Sequence, residues 1–102
     1  MTLQVVGAGV QRIDGTALAI PANAVAAAIN VTAVTPAGPG YVTVWPCGVS
    51  RPVVSTLNFN AGDIRTNGAI APLGAGGTLC FYAHAATDLV VDIVGWFTSG
   101  AT

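Results

Sequence analysis

Apolar and polar positions alternate along this chain in short stretches. Each stretch is rich in Val, Ile, Thr, Tyr, Phe or Trp and is closed by Gly, Pro, Asn or Asp. That pattern belongs to strands and tight turns. It predicts strands over Leu3–Val6, Gly9–Ile13, Ala17–Ile20, Val25–Val34, Tyr41–Trp45, Ser55–Phe59, Ala69–Pro72, Leu79–Tyr82 and Leu89–Phe97. Asp14-Gly15 is a tight hairpin signal. Thr35-Pro36-Ala37-Gly38-Pro39-Gly40 fits neither a helix nor a central strand, because both prolines lack a backbone donor. Asn60-Ala61-Gly62-Asp63 and Leu73-Gly74-Ala75-Gly76-Gly77 read as turns. Ala22–Ala28 is Ala-rich, which favours helix. Pro21, Asn23 and the β-branched continuation through Ile29–Val34 instead predict a turn at Pro21–Ala24 and then one long strand, with a single helical turn as the alternative.

About nine strands at a spacing of roughly 8 to 12 residues predict an all-β domain, a two-layer antiparallel β-sandwich. A small closed β-barrel or trefoil-like arrangement is the alternative. The 102 residues suit a single domain over 1–102, with a core of about 3–97 and a tail at 98–102. The two longest strands resemble each other when Asn30 is laid on Asp92. Both are apolar on two faces around one polar residue, so both are expected to be central strands with cover on each side. A carboxylate buried there would need a partner, and Asn30, Arg51 or a backbone turn are the candidates.

Composition sharpens this picture. Charged residues make up only 7% of the chain and hydrophobic ones 53%, against about 25% charged in an ordinary soluble domain. Lys and Glu are absent; Arg12, Arg51 and Arg65 stand against Asp14, Asp63, Asp88 and Asp92, for a net charge of −1. Three scattered arginines make neither a nucleic-acid stripe nor a polybasic membrane patch. High apolar content excludes a disordered tail, and the missing Glu and Lys exclude a coiled coil. No apolar run reaches the roughly 18 to 20 residues of a spanning helix, and Met1-Thr2-Leu3-Gln4-Val5 lacks the basic start of a secretory leader. With so few charges the surface must be built from Ala, Val, Thr, Gly and Asn. An apolar face is therefore expected to be covered by a copy of the chain, as a homo-oligomer, or by adjacent copies of the module.

Cys47 and Cys80 read as one disulfide, since a zinc site would need two further ligands and His84 is the only histidine. Two buried free thiols are the alternative. A bridge places the domain in an extracellular or cell-surface setting. No metal or cofactor is expected. No catalytic residues are expected either: Ser50, Ser55 and Ser99 lie outside any nucleophile elbow, and His84 reads as a loop histidine. Asp88 and Asp92, four apart on a strand, would lie about 13 Å from each other, too far for paired acid–base work. Asn30-Val31-Thr32 matches the glycosylation pattern, but inside a central strand it reads as chance.

The densest polar chemistry follows Cys47: Arg51, Ser55, Asn58, Asn60, Asp63, Arg65 and Asn67. Asn58 and Asn60 are two apart and would share one face of a strand, with Leu57 and Phe59 on the other. A row of amides beside an aromatic ring suits a sugar, because amides pair with hydroxyls and the ring covers the apolar sugar face. Tyr41, Trp45 or Trp96 would supply that ring. The candidate ligand-binding residues are thus Arg51, Asn58, Asn60, Tyr41 and Trp45, with Asp92 as a further carboxylate. Against this, Asn near Gly is most often a turn former, and aromatics in a small sandwich are mostly core. Asp63 is too isolated for calcium, which takes about 6 to 8 oxygens.

Ile29-Asn30-Val31-Thr32-Ala33-Val34, Gly40-Tyr41-Val42-Thr43-Val44-Trp45-Pro46-Cys47-Gly48, Arg51-Pro52, Ser55-Thr56-Leu57-Asn58-Phe59, Gly62, Cys80-Phe81-Tyr82 and Thr87-Asp88-Leu89-Val90-Val91-Asp92-Ile93-Val94-Gly95-Trp96-Phe97 follow one another in an order that carries a resemblance. The succession resembles an Ala/Val/Thr-rich β module of secreted and surface proteins of actinobacteria, from about Leu3 to Phe97. In such proteins the module occurs in tandem or beside hydrolases. The resemblance implies an extracellular, non-catalytic accessory role. The Leu-Asp-Thr-Arg-like run that often leads such modules is missing here. The combined expectation is a binding or adhesion module of carbohydrate-binding, lectin-like type. A structural spacer or self-assembling module without a small ligand is the alternative.

Overall fold

A computed structural model describes residues 1–11 and 17–98. The described residues form β1 (Thr2–Gln4), β2 (Gly9–Gln11), β3 (Ala17–Ala19), β4 (Ala24–Val34), β5 (Gly40–Pro46), β6 (Leu57–Phe59), β7 (Ile64–Pro72), β8 (Thr78–His84) and β9 (Asp88–Thr98). One sheet runs β1-β8-β5-β6 and the other β7-β4-β9, with every pairing antiparallel. They pack face to face as a β-sandwich. The molecule measures 44 × 34 × 20 Å; its short dimension suits two sheets about 10 Å apart with their outer side chains. β2 and β3 pair as a separate two-stranded ribbon. The Asp14-Gly15 turn expected there lies outside the described residues.

Side-chain alternation sorts the two faces of each sheet. From β4 the residues Ala27, Ile29, Val31 and Ala33 point inward and are fully or almost fully buried. Ala71 of β7 joins them, directly opposite Ala27 in the ladder. The other sheet answers with larger groups: Val42, Leu57, Phe59, Leu79 and Phe81. Small residues on one layer thus leave room for large ones on the other, which is how a thin core reaches interior packing density. Val5 and Ile20 close one end of this core. Gly7 donates to the Ile20 carbonyl at 2.8 Å and Ile20 to that of Ala8 at 3.0 Å, joining the two arms at the base of the ribbon, while the N–H groups of Val5 and Val6 donate to the Gly77 carbonyl at 2.9 and 3.1 Å.

The turn before β4 forms at Pro21–Ala24, with Ala24 N–H on the Pro21 carbonyl at 3.0 Å, so the Ala-rich run is strand and not helix. Two expectations need correction. Only β4 is central; β9 pairs with β4 alone and is an edge strand. Its residues alternate between exposed (Asp88, Val90, Asp92, Val94) and half-buried (Leu89, Val91, Ile93), so its apolar outer residues face solvent instead of a second layer. The strand expected over Ala69–Pro72 begins at Ile64. Its polar first half, Arg65 to Gly68, pairs along β4 as an edge and needs no apolar cover.

The outer face of β7-β4-β9 carries exposed Ile64 (72%), Ile70 (67%) and Val94 (63%). Asp88 and Asp92 of β9 share this face with them. On it Asn30 sits in β4 between Gly68 of β7 and Asp92 of β9. Exposed Asp92 therefore keeps its solvation and incurs no burial cost.

In the β8–β9 connection Ala85 has φ of 111°, a region that side-chain-bearing residues rarely occupy. Such a conformation costs about 1–3 kcal/mol. Ala85→Gly removes the strain, at the cost of greater freedom in the unfolded chain and loss of the half-buried methyl. We expect Ala85→Gly to stabilise the fold by about 1 kcal/mol, read as a higher urea midpoint. An unchanged or lower midpoint would mean that the methyl's packing outweighs the strain.

Candidate ligand-binding site

The outer face of the four-stranded sheet is polar and aromatic where its inner face is wholly apolar. Alternation along β5 turns Tyr41, Thr43 and Trp45 outward while Val42 enters the core. Leu57 and Phe59 of β6 point in, so Asn58 between them points out. Along β8 the outward residues are Cys80, Tyr82 and His84. Register then aligns these positions across strands. Tyr41 stands between Asn58 and His84, and Thr43 lies opposite Tyr82. The Tyr41 and His84 rings stack with centroids 5.2 Å apart and planes 5° from parallel, and Tyr82 lies 6.1 Å from Tyr41 at a tilt of 51°.

Beyond β5 the chain folds back across this face. Residues 47–56 are held there at several points. The Cys47–Cys80 disulfide, with Cα atoms 5.1 Å apart, fastens the start of the segment to β8. Trp45 Nε1 donates to the Val49 carbonyl at 3.1 Å. The Arg51 guanidinium lies 3.7 Å above the centre of the Tyr82 ring, a cation–π contact. Thr43 Oγ1 donates to the Val54 carbonyl at 2.7 Å, which buries an outward-facing residue to 1% exposure. At the far end Val44 N–H donates to Thr56 Oγ1 at 3.1 Å. There a hydroxyl takes the place of a ladder carbonyl, and β6 starts at Leu57, two residues later than its sequence pattern indicates.

Between this segment and the sheet lies a concavity of about 370 Å³, at the small end of the roughly 300–1,000 Å³ of ligand sites. Tyr41, Thr43 and Asn58 contribute from the sheet, and Arg51, Pro52, Val53, Val54 and Ser55 from the segment above it. Polar donors and acceptors thus share one hollow with the apolar flanks of Pro52 and two valines. Of the described residues, no carboxylate lies within ion-pair distance of Arg51; Arg65 is the arginine that has one, with Nε 3.3 Å from Asp63 Oδ2.

Three of the six residues singled out from sequence meet in this hollow: Tyr41, Arg51 and Asn58. Trp45 stands beside it and steadies the overlying segment through Val49. Asn60 is just past the end of β6, where its N–H donates to Asp63 Oδ2 at 2.9 Å and its carbonyl accepts from Asp63 N–H at 3.2 Å, the geometry of a turn. Asp92 is on the outer face of the opposite sheet. Sequence reading missed Thr43, Pro52, Val53 and Val54 as lining residues. A signal for Pro52, Val53 and Val54 existed in Arg51-Pro52-Val53-Val54, where apolar side chains follow a proline that a central strand would not accept. His84 stacks on Tyr41, and among the described residues no hydrogen bond or ion pair joins it to Asp88, Ser50 or Ser55. The disulfide itself is formed, which is compatible with an oxidising, extracellular setting.

No family model, curated protein or solved structure matches this chain.

Proposed function

We propose that this chain is a non-catalytic extracellular binding module that holds a carbohydrate in the hollow between β5, β6 and residues 47–56. One observation carries the reading: Tyr41 of β5, Arg51 of the overlying segment and Asn58 of β6 share a single concavity. A sugar presents hydroxyls that both donate and accept, beside a C–H face that is apolar. The Asn58 amide donates and accepts, the Ser55 hydroxyl does both, and Pro52 and Val53 offer apolar contact. The segment bearing Arg51, Pro52, Val53 and Ser55 is tethered by a disulfide and a cation–π contact, so less ordering entropy opposes binding. Secretion into an oxidising compartment is consistent with the bridge, and the resemblance to actinobacterial surface modules points the same way.

A panel of mono- and disaccharides titrated into the labelled protein, followed by amide shifts, tests this. We expect millimolar or tighter binding with shifts at Thr43, Ser55 and Asn58. Asn58→Ala should weaken binding at least about tenfold, since a lost hydrogen bond also leaves a ligand hydroxyl unpaired. Asn60→Ala should leave affinity unchanged. Equal affinity in Asn58→Ala, or no binding to any sugar, would overturn the proposal. A chain that binds no sugar and sediments as an oligomer would replace it with the self-assembling spacer, for which the exposed Ile64, Ile70 and Val94 argue.

A further inference from the structure

We infer that the hollow selects an acidic sugar, a uronic acid residue whose carboxylate pairs with Arg51. This rests on the carbohydrate reading of the same site and names the class of ligand. Among its lining residues Arg51 carries the only formal charge; Tyr41, Thr43, Ser55 and Asn58 are neutral polar groups and the rest are apolar. Arg65, by contrast, already faces Asp63 at 3.3 Å. Arg51 instead stacks on Tyr82, at 3.7 Å from the ring centre. At van der Waals distance from the ring centre a guanidinium packs by its face, which leaves its N–H edge for a planar anion. A carboxylate matches that edge with two parallel hydrogen bonds, a geometry that lysine or a neutral amide would not offer. Stacking also holds the guanidinium in place before the ligand arrives, so less side-chain entropy is lost on pairing.

The remaining groups decide between a sugar acid and a bare anion. One arginine satisfies one carboxylate. The Asn58 amide and the Ser55 and Tyr41 hydroxyls are then left for further donors and acceptors, which a polyhydroxylated ring supplies and acetate does not. The volume of about 370 Å³ admits about one or two sugar rings. A uronate within a longer polysaccharide, with its neighbours leaving over exposed Val53, fits that space.

Calorimetric or amide-shift titration with four probes tests the assignment: glucuronate, its methyl ester, glucose and acetate, with galacturonate and galactose as an epimeric repeat. We expect at least one uronate to bind about tenfold or more tightly than its ester and its neutral sugar. Acetate should bind more weakly than the uronate. Salt at about 0.5 M should shrink the preference, because this exposed charge is screened. Arg51→Gln should abolish the difference between acid and ester. Arg51→Lys should restore part of it, and unchanged melting of both variants shows that the fold persists. Equal affinity for acid, ester and neutral sugar would overturn the inference and leave the binding-module reading standing. Acetate binding as tightly as the uronate would also overturn it, since the site would then read an anion alone. Failure of every sugar would overturn both.

Discussion

Replacing Cys47 and Cys80 together by serine is expected to lower the melting temperature by roughly 15–30 °C and to loosen the hollow at the same time. The two half-buried cysteines are separated by 33 positions in sequence. In the chain-entropy treatment, closing a loop of that length restricts the unfolded ensemble by roughly 3.5–4 kcal/mol. A domain of this size holds only about 5–15 kcal/mol in total. The bridge is therefore a large fraction of the stability, larger than any single surface contact here. The exposed Arg65–Asp63 pair, at 3.3 Å, contributes at most about 1 kcal/mol. The same bridge fastens the start of the segment that covers Thr43. Without it, the Trp45–Val49 and Arg51–Tyr82 contacts and the Ala75 N–H on the Cys47 carbonyl are left to hold that end. Differential scanning calorimetry of the double variant, and of the wild type with and without reductant, measures the first effect. Hydrogen exchange across residues 47–56 measures the second, with faster exchange expected there than in β4. A shift of only a few degrees would show that the remaining contacts hold the segment, and the tether would lose its place in the account of the site.

Much of the fold is legible in the sequence because strands leave a local trace. Gly and Pro clusters separate the strands, and alternation marks their inward residues, as in Leu57-Asn58-Phe59. What fails to show is the neighbour each strand receives. β9 reads as apolar on both faces, and the inference that it must be central assumed that apolar residues are always covered. In a chain with only 7% charged residues that assumption breaks down, and Val90 and Val94 stand exposed on an edge. The converse holds at Arg65 to Gly68, where polarity conceals half of a strand that pairs with β4 along its whole length. The site was legible to the same partial degree. Arg51, Asn58 and Tyr41 announce themselves by chemical type. Thr43 and Val53 are recruited by the path of the segment after Cys47, which is set by the disulfide and by register between strands distant in sequence. Asn60 was grouped with Asn58 on strand periodicity, but the strand ends at Phe59 and Asp63 draws the next residue into a turn.

Phe81→Ala is expected to destabilise the protein by about 3–5 kcal/mol, the cost of removing a buried aromatic ring together with the cavity it leaves. Phe81 is 3% exposed on the inner face of β8, paired with Val44 of β5. Its backbone also ties down the first strand: its N–H donates to the Met1 carbonyl at 2.8 Å and its carbonyl accepts from the Met1 amine at 3.0 Å. The facing sheet offers Ala27, Ala33 and Ala71 beside Ile29 and Val31, and the three methyl groups are too short to move into the vacated space. A core that relies on large residues opposite small ones has little means of collapse, so the upper half of the range applies. Phe97 is the internal comparison, a ring of the same size that is 48% exposed on β9. Phe97→Ala should cost about 1 kcal/mol or less, in keeping with partial burial and no closed cavity. Urea unfolding of both variants gives the two values directly. The consequence reaches the binding surface, because Phe81 lies on the reverse of the strand whose next residue, Tyr82, carries Arg51. At temperatures where Phe81→Ala remains folded, the Arg51-dependent preference for acids should weaken even though no lining residue has changed. A cost below about 1.5 kcal/mol would mean that the aliphatic layer does repack, and the complementarity of small and large residues would no longer explain how so thin a sandwich holds together.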